Sequence, residues 1–322
     1  MLSEFDLIQR YFAQHSPVDQ HLLLGVGDDC ALIRPSAGMD MAISSDMLVS
    51  GRHFFPDENP YRLGHKCLAV NLSDLAAMGA RPMGFTLALA LPEARAEWLE
   101  AFAKGMLKLA DAHQCRLTGG DTTKGPLNIC ITVFGELPPG SALRRDAAKT
   151  GDDIWVSGTL GDARLALAGY WKELSLPEQD HQHAALRMHL PEPRVALGMA
   201  LRGIAHAALD ISDGLAGDLG HILKKSGVGA SLNVDALPAG PVLAKQDMQL
   251  RRQFCLTGGD DYELCFTAPS AKREEVLAAA ANCSTPVTRI GRIEAETGLR
   301  LHDQQGQSVT LALQTFDHFA TP

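Results

Sequence analysis

An α/β (α+β) fold in two domains is what the sequence predicts, and three observations carry it. Apolar runs of strand length alternate with runs of helical periodicity along the whole chain. A Pro138-Pro139-Gly140 break followed by a polar stretch to Gly151 interrupts that alternation. The 322 residues are about two domains' worth at the usual ~150 residues each. The boundaries that follow are residues 1–138 and 150–322.

Ser3 is placed to cap a first amphipathic helix with Phe5, Ile8, Tyr11 and Phe12 along one side. LLLGVGDDCALI (22–33) reads as apolar residues entering and leaving a Gly-x-Gly turn that carries Asp28 and Asp29. It is not a dinucleotide fingerprint, because Cys30 stands where a third glycine belongs. MAISSDMLVSGRHFF (41–55) reads as a strand ending in the polar residues Ser44, Ser45 and Asp46, with His53 in the loop after it. Strand ends are where open sheets place ligand groups. Asn59-Pro60 marks the start of a helix that runs through NLSDLAAMGARP (71–82).

In that helix Asp74 is one acid among Leu72, Leu75, Ala76 and Met78, and Gly79 with Arg81-Pro82 is the stop. A carboxylate in such surroundings is partly desolvated and needs a partner to stay ionised, either a basic side chain or a metal ion. GFTLALAL (84–91) is a buried strand, and Glu93 to His113 an amphipathic helix with Trp98, Phe102, Met106 and Leu109 at core spacing. CRLTGGDTTKGPLNICITVFGEL (115–137) reads as strand, Gly-rich loop, strand, with Gly120 and Asp121 in the loop. Glycines let backbone N–H groups approach a phosphate, and an ordinary turn is the alternative. No GxxxxGK[ST] loop occurs anywhere.

Beyond the linker, where Arg144 and Arg145 are basic residues in an acidic protein, DIWVSG (153–158) is a strand and GDARLALAGYW a helix. Residues 172–192, rich in Glu, Gln and His, read as a solvated loop whose His181 and His183 lack a second ligand pair at a familiar spacing. Residues 193–227 read as helix, short strand into Asp210, turn, helix. A Ser212 or Asp213 N-cap accounts for one acid at the helix entry and leaves Asp210 unexplained. LTGGDDYELCFTA (256–268) repeats the Gly-Gly-Asp theme before another strand, and further strands near 287–302 finish the fold. Ser73-Asp74 and Ser212-Asp213 are separated by the same interval as the two Thr-Gly-Gly-Asp strings, an echo that raises the question of an internal duplication.

Composition limits the function classes. A hydrophobic content of 46% and a charged content of 21% are those of a globular protein with a sizeable core. The net charge of −9 argues against coating nucleic acid or an anionic membrane, and any phosphate bound here would need a bridging cation. Seven scattered cysteines without a CxxC pair read as thiols in a reducing compartment. The N-terminus lacks the pattern of a secretory signal, and 84–91 is too short to span a bilayer, so a cytoplasmic location is expected.

The acids at loops and strand ends are Asp28, Asp29, Asp46, Asp74, Asp121, Asp210 and Asp213. Two carboxylates ~4 Å apart repel by about 4 kcal/mol at an effective dielectric of ~20, so any that converge need protons or divalent cations between them. Carboxylate, hydroxyl and carbonyl oxygens suit Mg²⁺, which commonly shares its sphere with nucleotide phosphates. Acids beside Gly-rich loops therefore point to phosphoryl transfer on a Mg-nucleotide.

The strings GDDCA (27–31), SSDMLVSGRHF (44–54), NLSDLAAMGARP (71–82), TGGDTTKGP (118–126), ALDISDGLAGDLGHI (208–222), GGDDYELCF (258–266) and FDHF (316–319) together resemble the thiamine-monophosphate kinase family of the aminoimidazole-ribonucleotide-synthetase-like superfamily. The resemblance runs from the first helix to the last residues with the motifs in order. It implies an N-terminal ATP/Mg-binding domain that dimerises through its sheet and a C-terminal α/β domain packed beside it. It also implies direct transfer of the ATP γ-phosphate onto thiamine monophosphate, with several Mg²⁺ ions and no covalent nucleophile. Motif by motif, Asp29, Ser44, Ser45, Asp46, Asp74, Asp121, Asp210 and Asp213 correspond to metal ligands. Gly120, Arg145 and Ser212 correspond to ATP contacts, and His53, Asp260 and Phe316 to substrate contacts.

The chain departs from the family pattern at three of these positions: Ser45 replaces a frequent Thr, Asp260 a common Glu, and Phe316 a frequent Tyr or Trp. Two rival readings are a sister synthetase of the superfamily, handling selenophosphate or a purine intermediate, and a non-catalytic acidic cation-binding protein. The selenium enzyme calls for a reactive Cys near a Lys-bearing Gly-rich N-terminal segment, which this chain lacks, and no EF-hand loop supports the other.

Overall fold

A computed structural model describes residues 4–13 and 18–313, without the side chains of 4–6. Ser3, the Phe5 side chain, Phe316 and Phe319 lie outside the described residues. The chain divides into two units, Met1–Leu75 with Ala80–Gly140, and Ala76–Gly79 with Ser141–Pro322.

In the first unit α1 (Glu4–Tyr11) precedes a small antiparallel pair, β1 (Leu22–Leu24) and β2 (Leu32–Ile33), that flanks the Asp28-Asp29 turn. Four longer strands form one sheet: β3 (Asp40–Val49), β4 (Arg81–Leu91), β5 (Arg116–Lys124) and β6 (Asn128–Leu137), in the order β3-β6-β4-β5. Its covered face holds Phe85, Leu87 and Leu89 of β4 beside Ile129, Ile131 and Val133 of β6, all buried. The helices of this unit are α2 (Pro60–Met78) and α3 (Ala96–Ala112). The Asn59 carboxamide accepts from the N–H groups of Tyr61 and Arg62, and Pro60 needs no donor at the first helical position, so α2 starts there. Gly64 and Gly105 let α2 and α3 cross at backbone contact. A Cβ on Gly64 would lie 2.1 Å from the Phe102 carbonyl oxygen, and one on Gly105 1.9 Å from that of Tyr61.

The Gly-rich stretch expected as a loop is not one. β5 runs through Thr118, Gly119, Gly120 and Asp121 in parallel register with β4, and the chain turns only after Lys124. Gly120 has φ +149°, and a Cβ there would lie 1.9 Å from the Leu87 carbonyl oxygen, so its place in the sheet demands glycine.

The second unit has a six-stranded sheet of β7 (Asp153–Ser157), β8 (Ala207–Asp210), β9 (Gly229–Asn233), β10 (Leu264–Ala268), β11 (Val287–Glu294) and β12 (Gly298–His302), ordered β12-β9-β11-β7-β10-β8. All its neighbours are antiparallel except β12 and β9. Its helices are α4 (Asp162–Tyr170), α5 (Glu178–His189), α6 (Val195–Ala200), α7 (Leu215–Ser226), α8 (Met248–Thr257) and α9 (Arg273–Asn282). The core gathers Ile154, Val156, Leu165, Leu209, Leu219 and Ile222. The loop expected over 172–192 contains α5, which buries Ala184, Ala185 and Met188 and turns its acidic and amide residues outward. Small alanines carry that buried stripe, so hydropathy alone conceals it.

The Thr-Gly-Gly-Asp echo does not extend to conformation. Residues 118–121 are strand, whereas 257–260 are a helix end and a loop. Ser73-Asp74 sits inside α2, and Ser212-Asp213 in the loop before α7.

Candidate active site

In the first unit the site residues gather where α2 lies over β3. β3 does not end at Ser44, Ser45 and Asp46 as expected but stays paired with β6 as far as Val49, so these residues are mid-strand and strand alternation turns Ser44 and Asp46 toward the covered face. The Ser44 hydroxyl donates to Asp74 Oδ2 at 2.5 Å, and the Asp46 N–H donates to the Asn71 side-chain oxygen at 3.1 Å. Asn71 is fully buried and anchored through its own amide to the Cys67 carbonyl. Asp74 and Asn71 stand one helical turn apart on α2, so one face of the helix presents both to the strand. His53 folds back from the turn after β3, its Nδ1 accepting the Val49 N–H at 3.0 Å, which leaves Nε2 to carry the proton of the neutral ring.

Ser45 and Asp121 belong elsewhere. Ser45 alternates with Ser44 onto the open face, where its hydroxyl meets Thr132 Oγ1 at 3.0 Å. Asp121 pairs with Ala88, Ala88 with Cys130, and Cys130 with Met47, a row on that same open face. Asp46 shares the neighbouring row with Ile131, Leu87 and Gly120. Since β3 and β5 are opposite edges, three strand spacings of about 4.8 Å put their backbones about 14 Å apart. Asp29 is exposed in the β1–β2 turn, its N–H held by the Asp28 carboxylate at 2.8 Å.

In the second unit β8 and β10 bring two loops together. Asp210 pairs with Leu264, the Asp260 N–H donates to the Ser212 carbonyl at 2.9 Å, and the Tyr262 N–H donates to that of Ile211 at 2.8 Å. Asp210, Ser212, Asp213 and Asp260 thus lie on adjoining chain segments. Asp260 and Tyr262 both adopt left-handed backbone, with φ +66° and +50°. Non-glycine residues held there store strain that their surroundings must maintain.

The surroundings are three buried acids that sequence reasoning missed. Asp261 between them accepts the Gly161 N–H with both oxygens at 3.0 Å, and burial pushes its carboxyl well above the usual range. Glu263 is gripped by Arg187, Arg194 and Ser157. Asp218, expected only as part of a helix, accepts from the N–H groups of Ser212, Asp213 and Gly214 with one oxygen. Burial, opposed by the N–H donors and reinforced by the Asp213 charge, pushes Asp218 up to about 6. Neither Ser212 nor Asp213 is the N-cap of α7, which is Gly214. The available signal was an acid four residues past a Ser-Asp-Gly turn. Arg145 is exposed, and its positive charge acts to lower the Asp218 pKa.

Among the described residues no three His, Cys, Asp or Glu side chains gather closely enough to hold a metal by themselves. What the chain offers is oxygen donors in pairs and mixed sets, Ser44 with Asp74 being the closest. That chemistry fits Mg²⁺, which keeps several waters and needs one or two carboxylates. No described helix is long and apolar enough to cross a membrane.

Comparison with known proteins adds independent findings. Residues 27–137 match the model of the AIR synthase related protein N-terminal domain, and residues 149–304 that of the AIR synthase related protein C-terminal domain. The thiamine-monophosphate kinase of Salmonella typhimurium is 46% identical over 322 residues, covering 99% of each chain. The crystal structure of thiamine-monophosphate kinase from Stenotrophomonas maltophilia K279a superposes with TM-score 0.84 at 47% identity, over 90% of this chain and 93% of that one. A structure described as AaThiL complexed with AMPPCP and TMP gives TM-score 0.77 at 29% identity, over 91% of each chain.

Proposed function

The chain belongs to the thiamine-monophosphate kinase family, and from that membership we propose ATP-dependent phosphorylation of thiamine monophosphate to thiamine diphosphate by direct in-line transfer assisted by Mg²⁺. It is thus an enzyme, a thiamine-phosphate kinase. The observation that carries the metal-assisted reading is the joining of Ser44 to Asp74 beside the Asn71-anchored Asp46, an all-oxygen cluster at a helix–strand junction.

In this reading Asp29, Ser44, Ser45, Asp46, Asp74 and Asp121 of the first unit and Asp210 and Asp213 of the second hold Mg²⁺. When bound, the ions neutralise phosphate charge as it shifts during transfer. Gly120, Arg145 and the Ser212 hydroxyl contact ATP, Arg145 through a guanidinium suited to phosphate oxygens. His53, Asp260 and Phe316 contact the substrate, His53 donating from Nε2. An acceptor phosphate oxygen is already anionic, so no side chain need serve as base or nucleophile; the work is positioning.

Residues 1–138 act as the ATP/Mg-binding and dimerising domain, and 150–322 as the α/β domain completing the enzyme. A homodimer is supported by the open face of the first unit's sheet, where Ile43 and Met47 are 63% and 55% exposed beside Cys130 and Thr132. Four of the seven cysteines are buried and all are free, which supports a cytoplasmic setting.

Purified protein given Mg-ATP and thiamine monophosphate is expected to release ADP and form thiamine diphosphate, with little turnover on free thiamine. Asp74→Asn is expected to lose at least about a hundredfold in kcat while keeping its circular dichroism, on the scale of removing one preorganised electrostatic group. ADP release only with a different acceptor sinks the substrate reading; a folded, fully active Asp74→Asn sinks the metal reading.

A further inference from the structure

Three N–H groups converging at the start of a helix are the arrangement that binds phosphate in many proteins. The loop before α7 has that arrangement, and the chain fills it itself. Asp218, 5% exposed, folds back from the first turn of α7 so that Oδ2 accepts from Ser212 at 3.0 Å and from Asp213 and Gly214 at 3.1 Å. Its own N–H closes the first helical bond, to the Gly214 carbonyl at 3.0 Å. The Ser212 carbonyl accepts the Asp260 N–H at 2.9 Å. With these amides and this carbonyl engaged internally, the groups of the loop that the proposed function assigns to ligands are side chains, the Ser212 hydroxyl and the Asp213 carboxylate.

We propose that Asp218 is a positioning residue that makes the 212–214 loop a cation-presenting element by denying its backbone amides to phosphate. The inference rests on the reading of Ser212 and Asp213 as ATP and Mg²⁺ contacts. A carboxylate held by three N–H donors gives the loop one conformation and fixes the direction of the Asp213 side chain. It also sets a polarity: polyphosphate reaches this loop through a cation or the serine hydroxyl, not through the helix N-terminus.

The test compares wild type with Asp218→Ala, Asp218→Asn and Asp218→Glu. Each is measured for the KM for Mg-ATP, kcat, inhibition by inorganic phosphate, phosphate affinity by calorimetry, and melting temperature. Asp218→Ala vacates the amides, so its KM for Mg-ATP rises about tenfold or more and inorganic phosphate binds and inhibits about tenfold more tightly than in wild type. Asp218→Asn keeps an acceptor oxygen in place and returns both quantities to within about threefold of wild type. Asp218→Glu keeps the charge but displaces it by a methylene, and fares worse than Asn. Should the Ala variant fail to fold, the order of the other two decides: Asn closer to wild type supports the proposal, and Glu equal or closer overturns it. A folded Asp218→Ala with wild-type KM and phosphate affinity also overturns it. If wild type makes no thiamine diphosphate, the reading of the site has failed by itself, and the calorimetric comparison still tests whether Asp218 keeps phosphate off the loop.

Discussion

Glu263 is the acid whose removal should be felt most widely. Its side chain is fully buried, with Oε1 accepting from Arg187 Nη2 at 2.7 Å and Arg194 Nη2 at 2.6 Å. Oε2 accepts from Arg194 Nε at 2.7 Å and Ser157 Oγ at 2.6 Å. The carboxylate occupies the space above Gly158, where a Cβ would lie 2.0 Å from Oε1. Glu263→Gln keeps the volume and deletes the charge that Arg187 and Arg194, only 19% and 15% exposed, both face, leaving Arg194 with the exposed Glu192 carboxylate at 3.1 Å. Breaking such a buried set costs about 3–5 kcal/mol. Because both arginines keep some access to water, the lower end applies, about 3 kcal/mol. For a unit of this size each kcal/mol moves the melting temperature by about 2–4 °C, so a drop of roughly 6–12 °C is expected by scanning calorimetry. Glu263 also ends the 258–263 segment, so kcat should fall even below the melting range. A Glu263→Gln protein melting within about 2 °C of wild type would refute the claim that this carboxylate is the counter-ion on which the two arginines depend.

The proposed homodimer predicts that wild type scatters light with twice the mass of a single 34.5 kDa chain and that charging the open sheet face with Ile43→Asp and Met47→Asp halves it; a wild type already at the single-chain mass refutes the dimer, and a double variant that stays dimeric shows that copies meet elsewhere. Hydrogen bonding from Arg252, at 2.7 and 2.8 Å, holds the Asp235 carboxyl below its usual range despite partial burial. A depressed pKa contributes stability that is present above the unfolded value of about 3.9 and lost as pH falls through the folded value, so urea midpoints of wild type and Asp235→Asn should differ at pH 6, draw together as pH falls below about 4, and converge only once the pH has passed the depressed folded value.

How much of this was legible in the sequence depended on whether the signal was local. The start of α2 was readable because Asn59 and Pro60 act within one turn, and β4 from Phe85 to Leu91 because that apolar run has no Gly or Pro inside it. The pairing of Ser44 with Asp74 was not, since it depends on α2 lying over β3. The strand through Gly119 and Gly120 was hidden because glycines signal turns, and only the approach of β4 explains them here. Asp218 was passed over because a cap is sought before a helix, not inside its first turn. In α5 two of the four buried positions are alanine and one is His189, which weigh little on any hydropathy scale.

The sheet of the first unit has a consequence for stoichiometry. Asp46 and Asp121 stand on opposite rims and opposite faces of a four-stranded layer, so within one chain no single ion can touch both. If both carboxylates bind magnesium, each chain needs two ion positions there, or a donor borrowed from another molecule. Metals bound per polypeptide and complete catalytic centres per polypeptide are then separate quantities, to be counted separately.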